Sequence, residues 1–270
     1  MNQTYIHNGT RNFWGMLAVA ALVSAFFPLQ ATAQTACSVG GLVDSDCDGF
    51  SDSQEAGGII LFNGTSLGPT NPNLKDLFII LVPAIPSNLP ADPLAVLEKP
   101  LSNGGLGFTV HQITITQAGP NRQVTSASPQ KAILITESVD LSGDVLGVSN
   151  LGGPNGIDGA TVYTQRIINF VTGVYAAKSQ VPQAGLSDDY IRHTIAHEAG
   201  HVLGLTAEYN SRFGGNHYKT GSNVVMEQSV VYTSKGSTIN FNISDNFAQP
   251  DPQDSCLNRL DQIGICLNAQ

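Results

Sequence analysis

Residues 187–205 place Ile191, Ile195, Ala199, Val202 and Leu203 at helical spacing, so one stripe of a helix must be buried. Beside that stripe the chain reads His197-Glu198-Ala199-Gly200-His201. Any fold that carries this helix has to press it against another layer and still leave room for three polar side chains at its rim. Histidines four residues apart project from one helix face, about one turn from each other. Two imidazoles so placed can share one zinc ion, each at about 2.0–2.1 Å. Glu198 then falls beside the position such an ion keeps open, where a carboxylate can take a proton from water. The implied chemistry is hydrolysis of an amide bond.

The flanks fit the same helix. Ser187 or Asp188 is expected to cap its start, with acids in the first turn. Gly204 suits the left-handed turn that ends a helix. His193 lies on the same face, but eight residues of helix span about 12 Å at 1.5 Å per residue. It is too far from His201 to share an ion with it, and reads as a helix-surface residue or an outer support of the ligands.

With Gly204 included, the segment resembles the metzincin clan of zinc metallopeptidases, whose pattern is His-Glu-x-x-His-x-x-Gly-x-x-His followed by a methionine turn. His197, Glu198, His201 and Gly204 match. Ala207 stands where the third histidine belongs and cannot bind metal, so a third ligand must come from elsewhere. His217, in Phe213-Gly214-Gly215-Asn216-His217-Tyr218, is the stronger candidate: it is the only histidine after His201, and its glycines allow close backbone approach. The longer loop adds little closure entropy. Glu208, one residue past the usual slot, is the alternative, since carboxylates also ligate zinc. Met226 resembles the methionine of the turn that floors the zinc site. The resemblance implies an α/β (α+β), zincin-like domain with a twisted mixed sheet and a catalytic helix. It also implies that the strand before this helix is a sheet edge that pairs with extended substrate, which points to residues 160–174. Tyr218 or Tyr209 is a candidate for stabilising the oxyanion.

A second constellation spans residues 44–55, Asp-Ser-Asp-Cys-Asp-Gly-Phe-Ser-Asp-Ser-Gln-Glu, and fits the twelve-residue calcium loop at every position. Asp44, Asp46 and Asp48 supply hard oxygens, and Gly49 permits the sharp turn. Phe50 offers its carbonyl, Asp52 binds directly or through water, and Glu55 closes the site. No helix is expected before the loop. It resembles the Asp-rich calcium loops of thrombospondin type 3 repeats and of extracellular bacterial proteins, which implies a structural role.

Residues 1–33 read as an export signal: Arg11 is the only fixed charge before Asp44, an apolar run covers 16–27, and Ala31-Thr32-Ala33 is a small-x-small cleavage site. The organisation expected is signal 1–33, calcium-loop segment 34–62, linker 63–74 rich in Gly, Pro, Asn and Ser, and a zinc metallopeptidase-like domain over 75–270. Four cysteines in an exported chain suggest two disulfides, and the local pairing is Cys37–Cys47 with Cys256–Cys266, although three pairings are possible. Residues 76–82 form a continuous apolar run that suits a buried strand; 108–117 and 132–136 read as further strands, with a short helix around 93–98. Residues 160–174 fit a long strand or a strand followed by a helix, 230–243 look β-like, and 255–266 have helical spacing.

A net charge of −9 argues against nucleic acid and anionic membranes as partners. No other run is long enough to span a bilayer, which takes about 20 residues. The expectation is a monomeric, exported zinc endopeptidase with Glu198 as general base, secreted or held at the cell surface or in the periplasm, acting on protein or peptide and carrying structural calcium. Two other classes remain open. One is a non-catalytic binding or matrix module that keeps the fold; the other is a zinc hydrolase of a non-peptide amide.

Overall fold

Six consecutive apolar residues, Leu77 to Val82, can sit only in the middle of a sheet covered on two faces. The computed structural model, which describes residues 37–150, 159–203, 205, 224–226, 231–235 and 238–247, places them there. In chain order the strands are β1 (Cys37–Val39), β2 (Leu42–Asp44), β3 (Asp76–Val82), β4 (Thr109–Ile113), β5 (Ile133–Ser138), β6 (Gly147–Asn150), β7 (Gly159–Tyr163), β8 (Val231–Lys235) and β9 (Thr238–Asn242). The helices are α1 (Asp52–Gly57), α2 (Thr164–Ala176) and α3 (Leu186–Val202). The central sheet runs β4-β3-β5-β7-β6. Its first four strands are parallel, and β6 is antiparallel to β7 at the rim. The β1–β2 and β8–β9 pairs are separate antiparallel ladders. The fold is mixed α/β.

Strand β3 shows how the two faces are covered. Leu77 and Ile79 point into a core shared with Ile133, Ile135, Val162, and Ile191, Ile195 and Ala199 of α3. Phe78 and Ile80 point the other way, into a second cluster with Phe50, Ile59, Leu61, Ile113, Val124 and Ala132. The acidic loop segment therefore shares a core with the sheet. Phe50 and Phe78 pack with their rings tilted by 52° and their centroids 5.7 Å apart, and Phe78 lies 4.9 Å from the His111 ring. Residues 59–70 continue this cover, with a bridge between Ile60 and Ser66 and a backbone bond from Thr70 to Glu55.

Several expectations change on this frame. Residues 93–98 form turns rather than a helix. The ambiguous stretch 160–174 is a strand followed by a helix, and the strand is internal, between β5 and β6. It is therefore not a sheet edge; β6, beside it, and β4 are the edges. Four glycine- and serine-bearing residues carry too little hydrophobic pattern to announce a strand, which is why β6 was not legible. Glu137, at the end of β5, was missed as well. Burial alone would raise its pKa, but bonds from Ser87, the Asn88 amide, Thr164 and the Ala84 amide outweigh that and hold it below the usual range. The carboxylate so fixes the proline-rich connection and the start of α2 on one sheet end.

No helix among the described residues is long and apolar enough to cross a membrane. Phe78 is fully buried and holds the second cluster together. Phe78→Ala is expected to cost about 3–5 kcal/mol of unfolding free energy. A urea titration checks this, and a loss near zero would contradict the two-faced core.

Candidate metal centre and active site

The buried stripe of α3 is as the periodicity requires: Ile191, Ile195, Ala199, Val202 and Leu203 are all 2% exposed or less. The helix begins two residues earlier than a Ser187 cap implies. Its N-cap is Gly185, in the left-handed conformation (φ 81°) and without a side-chain bond to the helix, so neither Ser187 nor Asp188 caps it. Asp188 and Asp189 do lie in the first turn, where they favour the helix dipole.

His197 and His201 project together, with their Nε2 atoms 3.0 Å apart. The His197 Nδ1 donates to the Val225 carbonyl at 2.8 Å, which leaves a lone pair at Nε2 of the neutral ring. That arrangement suits a metal: a backbone acceptor on one ring nitrogen orients the other as a ligand. Two nitrogens bound to a common zinc at about 2.0–2.1 Å stand roughly 3.3–3.4 Å apart in tetrahedral geometry. The pair, at 3.0 Å, needs to open by only a few tenths of an ångström to reach that spacing.

The carbonyl that orients His197 belongs to a turn packed under α3. Met226 is fully buried there. A Cβ on Gly200 would stand 2.4 Å from the Met226 sulfur and 3.2 Å from Leu205 Cδ1, so the glycine leaves the room that the Met226 side chain occupies. Gly200 therefore links the motif to Met226. The turn is held in its own right by a bond from the Val225 amide to the Asn246 carbonyl, 2.7 Å.

His193 is buried rather than on the helix surface. Its Nδ1 donates to the Ser244 carbonyl at 2.6 Å, and burial lowers its pKa. Its ring lies 6.1 Å from that of His197, while His197 and His201 are 4.6 Å apart. It anchors the segment after β9 against α3.

Glu198 lies between α3 and the rim strand β6, 6% exposed. Burial pushes its carboxyl up to about 7, and a hydrogen bond from the Ser149 side chain works against that rise. A cation on the imidazole pair would act in the same sense as Ser149. The group is thus close to the balance at which a carboxyl both takes and returns a proton near neutral pH.

The acidic loop forms a separate centre. Asp44 organises it, accepting from the amides of Cys47, Asp48 and Gly49 at 2.7, 3.3 and 3.0 Å. Gly49 adopts φ 98°, the turn its position demands. The carboxylates of Asp44, Asp46 and Asp48 lie within 4.8 Å of one another, and among the described residues they are the only such group of three. Both Asp46 oxygens and Glu55 Oε2 are buried with no hydrogen-bond partner. Burial, then mutual repulsion, raises Asp46 to about 8 and Glu55 to about 9; burial raises Asp48 to about 7. Orphaned, crowded oxygens of this kind fit a bound cation. Asp52 behaves differently, since its two oxygens accept from the amide and hydroxyl of Ser45, both at 2.8 Å. It braces the loop instead of joining the triad. The Phe50 amide donates to Asp48 at 2.9 Å.

Comparison with family models, with curated proteins and with solved structures finds no match to this chain. The reading of these centres therefore rests on their own geometry.

The Cys37–Cys47 disulfide is formed and pins the β1 strand to the acidic loop. Gly204, Ala207, Glu208, Tyr209, His217, Tyr218, Cys256 and Cys266 lie outside the described residues, as do residues 1–36. Asp76 was missed by the sequence reading. It is fully buried, its amide donates to Asp48 at 2.7 Å, and its carboxylate takes bonds from Thr70 (3.0 Å) and His111 (2.7 Å). Its position at the head of an apolar strand, where a charge has no reason to be buried alone, was the available signal.

The raised carboxyls fix a sign. In metal-free protein the fold binds more protons than the unfolded chain above about pH 4, so stability falls as pH climbs toward about 9. Chelator-treated protein is expected to lose urea midpoint steadily across that window, less so for Glu55→Gln. Added divalent cation should flatten the slope. A wild-type profile that stays level without cation would contradict this account.

Proposed function

We propose that this protein is a metal-dependent peptidase, with zinc at His197 and His201. The observation that carries the reading is the convergence of the two Nε2 atoms beside a buried Glu198. The oriented tautomer of His197 and the Met226 turn beneath Gly200 support the likeness to metzincins. The third ligand belongs to the segment after α3, with His217 the first candidate and Glu208 the second. Zinc at this pair supplies Lewis acidity and lowers the pKa of water toward about 7.

The chain's own residues do the rest. Glu198 Oε accepts the proton of the attacking water and returns it to the amine nitrogen as the peptide bond breaks. Tyr218 is the candidate donor to the oxyanion. Strand β6 ends the sheet order, so an extended peptide can add to its outer side by main-chain bonds. That assignment replaces the internal strand β7 as the edge.

For the acidic loop we propose calcium, because the donors are all oxygen and three of them are buried without partners. Asp44, Asp46, Asp48, Glu55 and the Phe50 carbonyl would hold it, with Asp52 acting indirectly. The role is structural: it secures the cover on the second face of the sheet. The Cys37–Cys47 bridge agrees with an oxidising, extracytoplasmic location.

Glu198→Gln tests the central reading. It should retain stoichiometric zinc and lose casein cleavage by roughly 10²–10⁴-fold. Undiminished cleavage would remove this mechanism. A zinc-loaded wild type that cleaves small acylated amines but no protein would shift the substrate class. One that cleaves neither would leave a binding module.

A further inference from the structure

Strand β6 does more than end the sheet, and what it does rests on the peptidase reading above. Side chains alternate along a strand, so Gly147 and Ser149 share one face. They pair with Val162 and Ala160 of β7, both buried in the core, and so turn toward α3. Glu198 fills the space they leave. A Cβ on Gly147 would stand 2.5 Å from Glu198 Oε1, 2.7 Å from its Cγ and 2.9 Å from its Cδ. Gly147 is not among the glycines with positive φ, so its backbone would accept any residue. Space, not conformation, explains the glycine.

Two residues on, Ser149 lies on the same face, and its side chain is the group that works against the rise in the Glu198 pKa. The approach to β6 is also fixed. The Arg166 guanidinium, 3.7 Å over the Tyr163 ring, donates to the Val145 carbonyl (2.9 Å), the Asp140 carbonyl (2.9 Å) and the Asp140 carboxylate (3.0 Å). These contacts span the connection from β5 to β6, so the rim strand cannot slide easily along α3.

We propose that Gly147 and Ser149 are positioning residues for Glu198: the strand offered to an extended peptide is also the seat of the proton acceptor. A peptide in register on the outer side of β6 is thereby in register with the carboxylate on its inner side. The seat acts on the chemical step more than on peptide binding, because neither inner-face side chain reaches the outer edge. Misplacing a reacting group by about 1 Å can cost on the order of 10²-fold in rate.

The experiment is a double-mutant cycle of Gly147→Ala and Glu198→Asp, read as kcat and KM on a casein-derived peptide, with zinc content and thermal midpoint measured alongside. Gly147→Ala is expected to lower kcat by about 10-fold or more, with KM changed less than about twofold and zinc retained. Glu198→Asp, one methylene shorter, vacates the contested space. Its loss should therefore be smaller in the Gly147→Ala background than alone, a non-additivity that a merely structural role does not produce. Should Gly147→Ala fail to fold, Ser149→Ala carries the test, with kcat expected to fall about 3–10-fold at constant KM. Active wild type with additive effects, or with wild-type kcat in both Gly147→Ala and Ser149→Ala, overturns the seat and leaves the peptidase reading standing. An inactive zinc-loaded wild type overturns both.

Discussion

The bond from His197 Nδ1 to the Val225 carbonyl is the contact on which the rest of this centre depends. It orients the ring so that Nε2 faces His201, and it sets the tautomer that leaves that nitrogen its lone pair. The turn at 224–226 that carries this carbonyl packs under α3, where the lack of a side chain at residue 200 leaves room for the Met226 sulfur. One glycine inside the motif thus serves the geometry of both imidazoles. On the other side of α3, a second glycine on β6 makes room for Glu198. The polar residues of the helix are held between two close approaches, each reserved for a residue without a Cβ.

The sheet's other face carries the acidic loop, and β3 is a strand that serves both sides. Leu77 and Ile79 of β3 support α3, while Phe78 and Ile80 support the loop segment. Asp76 heads that strand and gives its amide to Asp48. A cation that settles Asp46 and Glu55 therefore stabilises the layer behind the helix without touching the imidazoles. In its absence, crowded carboxylates push against the cover of the sheet.

How much of this could be read from the residues differs by element. The stripe on α3, the run Asp76–Val82 and the acidic loop were legible because each rests on local pattern, either a period or a spacing. Met226 could be singled out as the one methionine near the motif. Strand β6 could not, since Gly147 and Ser149 are chosen by what Glu198 needs across space rather than by their neighbours in sequence. The same holds for Gly185 as the helix cap, for burial of His193 against Ser244, and for the bonds that tie Asp52 to Ser45. Long-range contacts decide these positions, and one sequence does not record them.

The claim that His197 and His201 share one ion can be measured directly by zinc K-edge X-ray absorption on the purified protein. The account predicts a first shell of nitrogen and oxygen at about 2.0–2.1 Å with the outer-shell scattering of at least two imidazoles. That signal should be lost in His201→Ala. Absence of stoichiometric zinc, or a zinc shell without imidazole scattering, would contradict it.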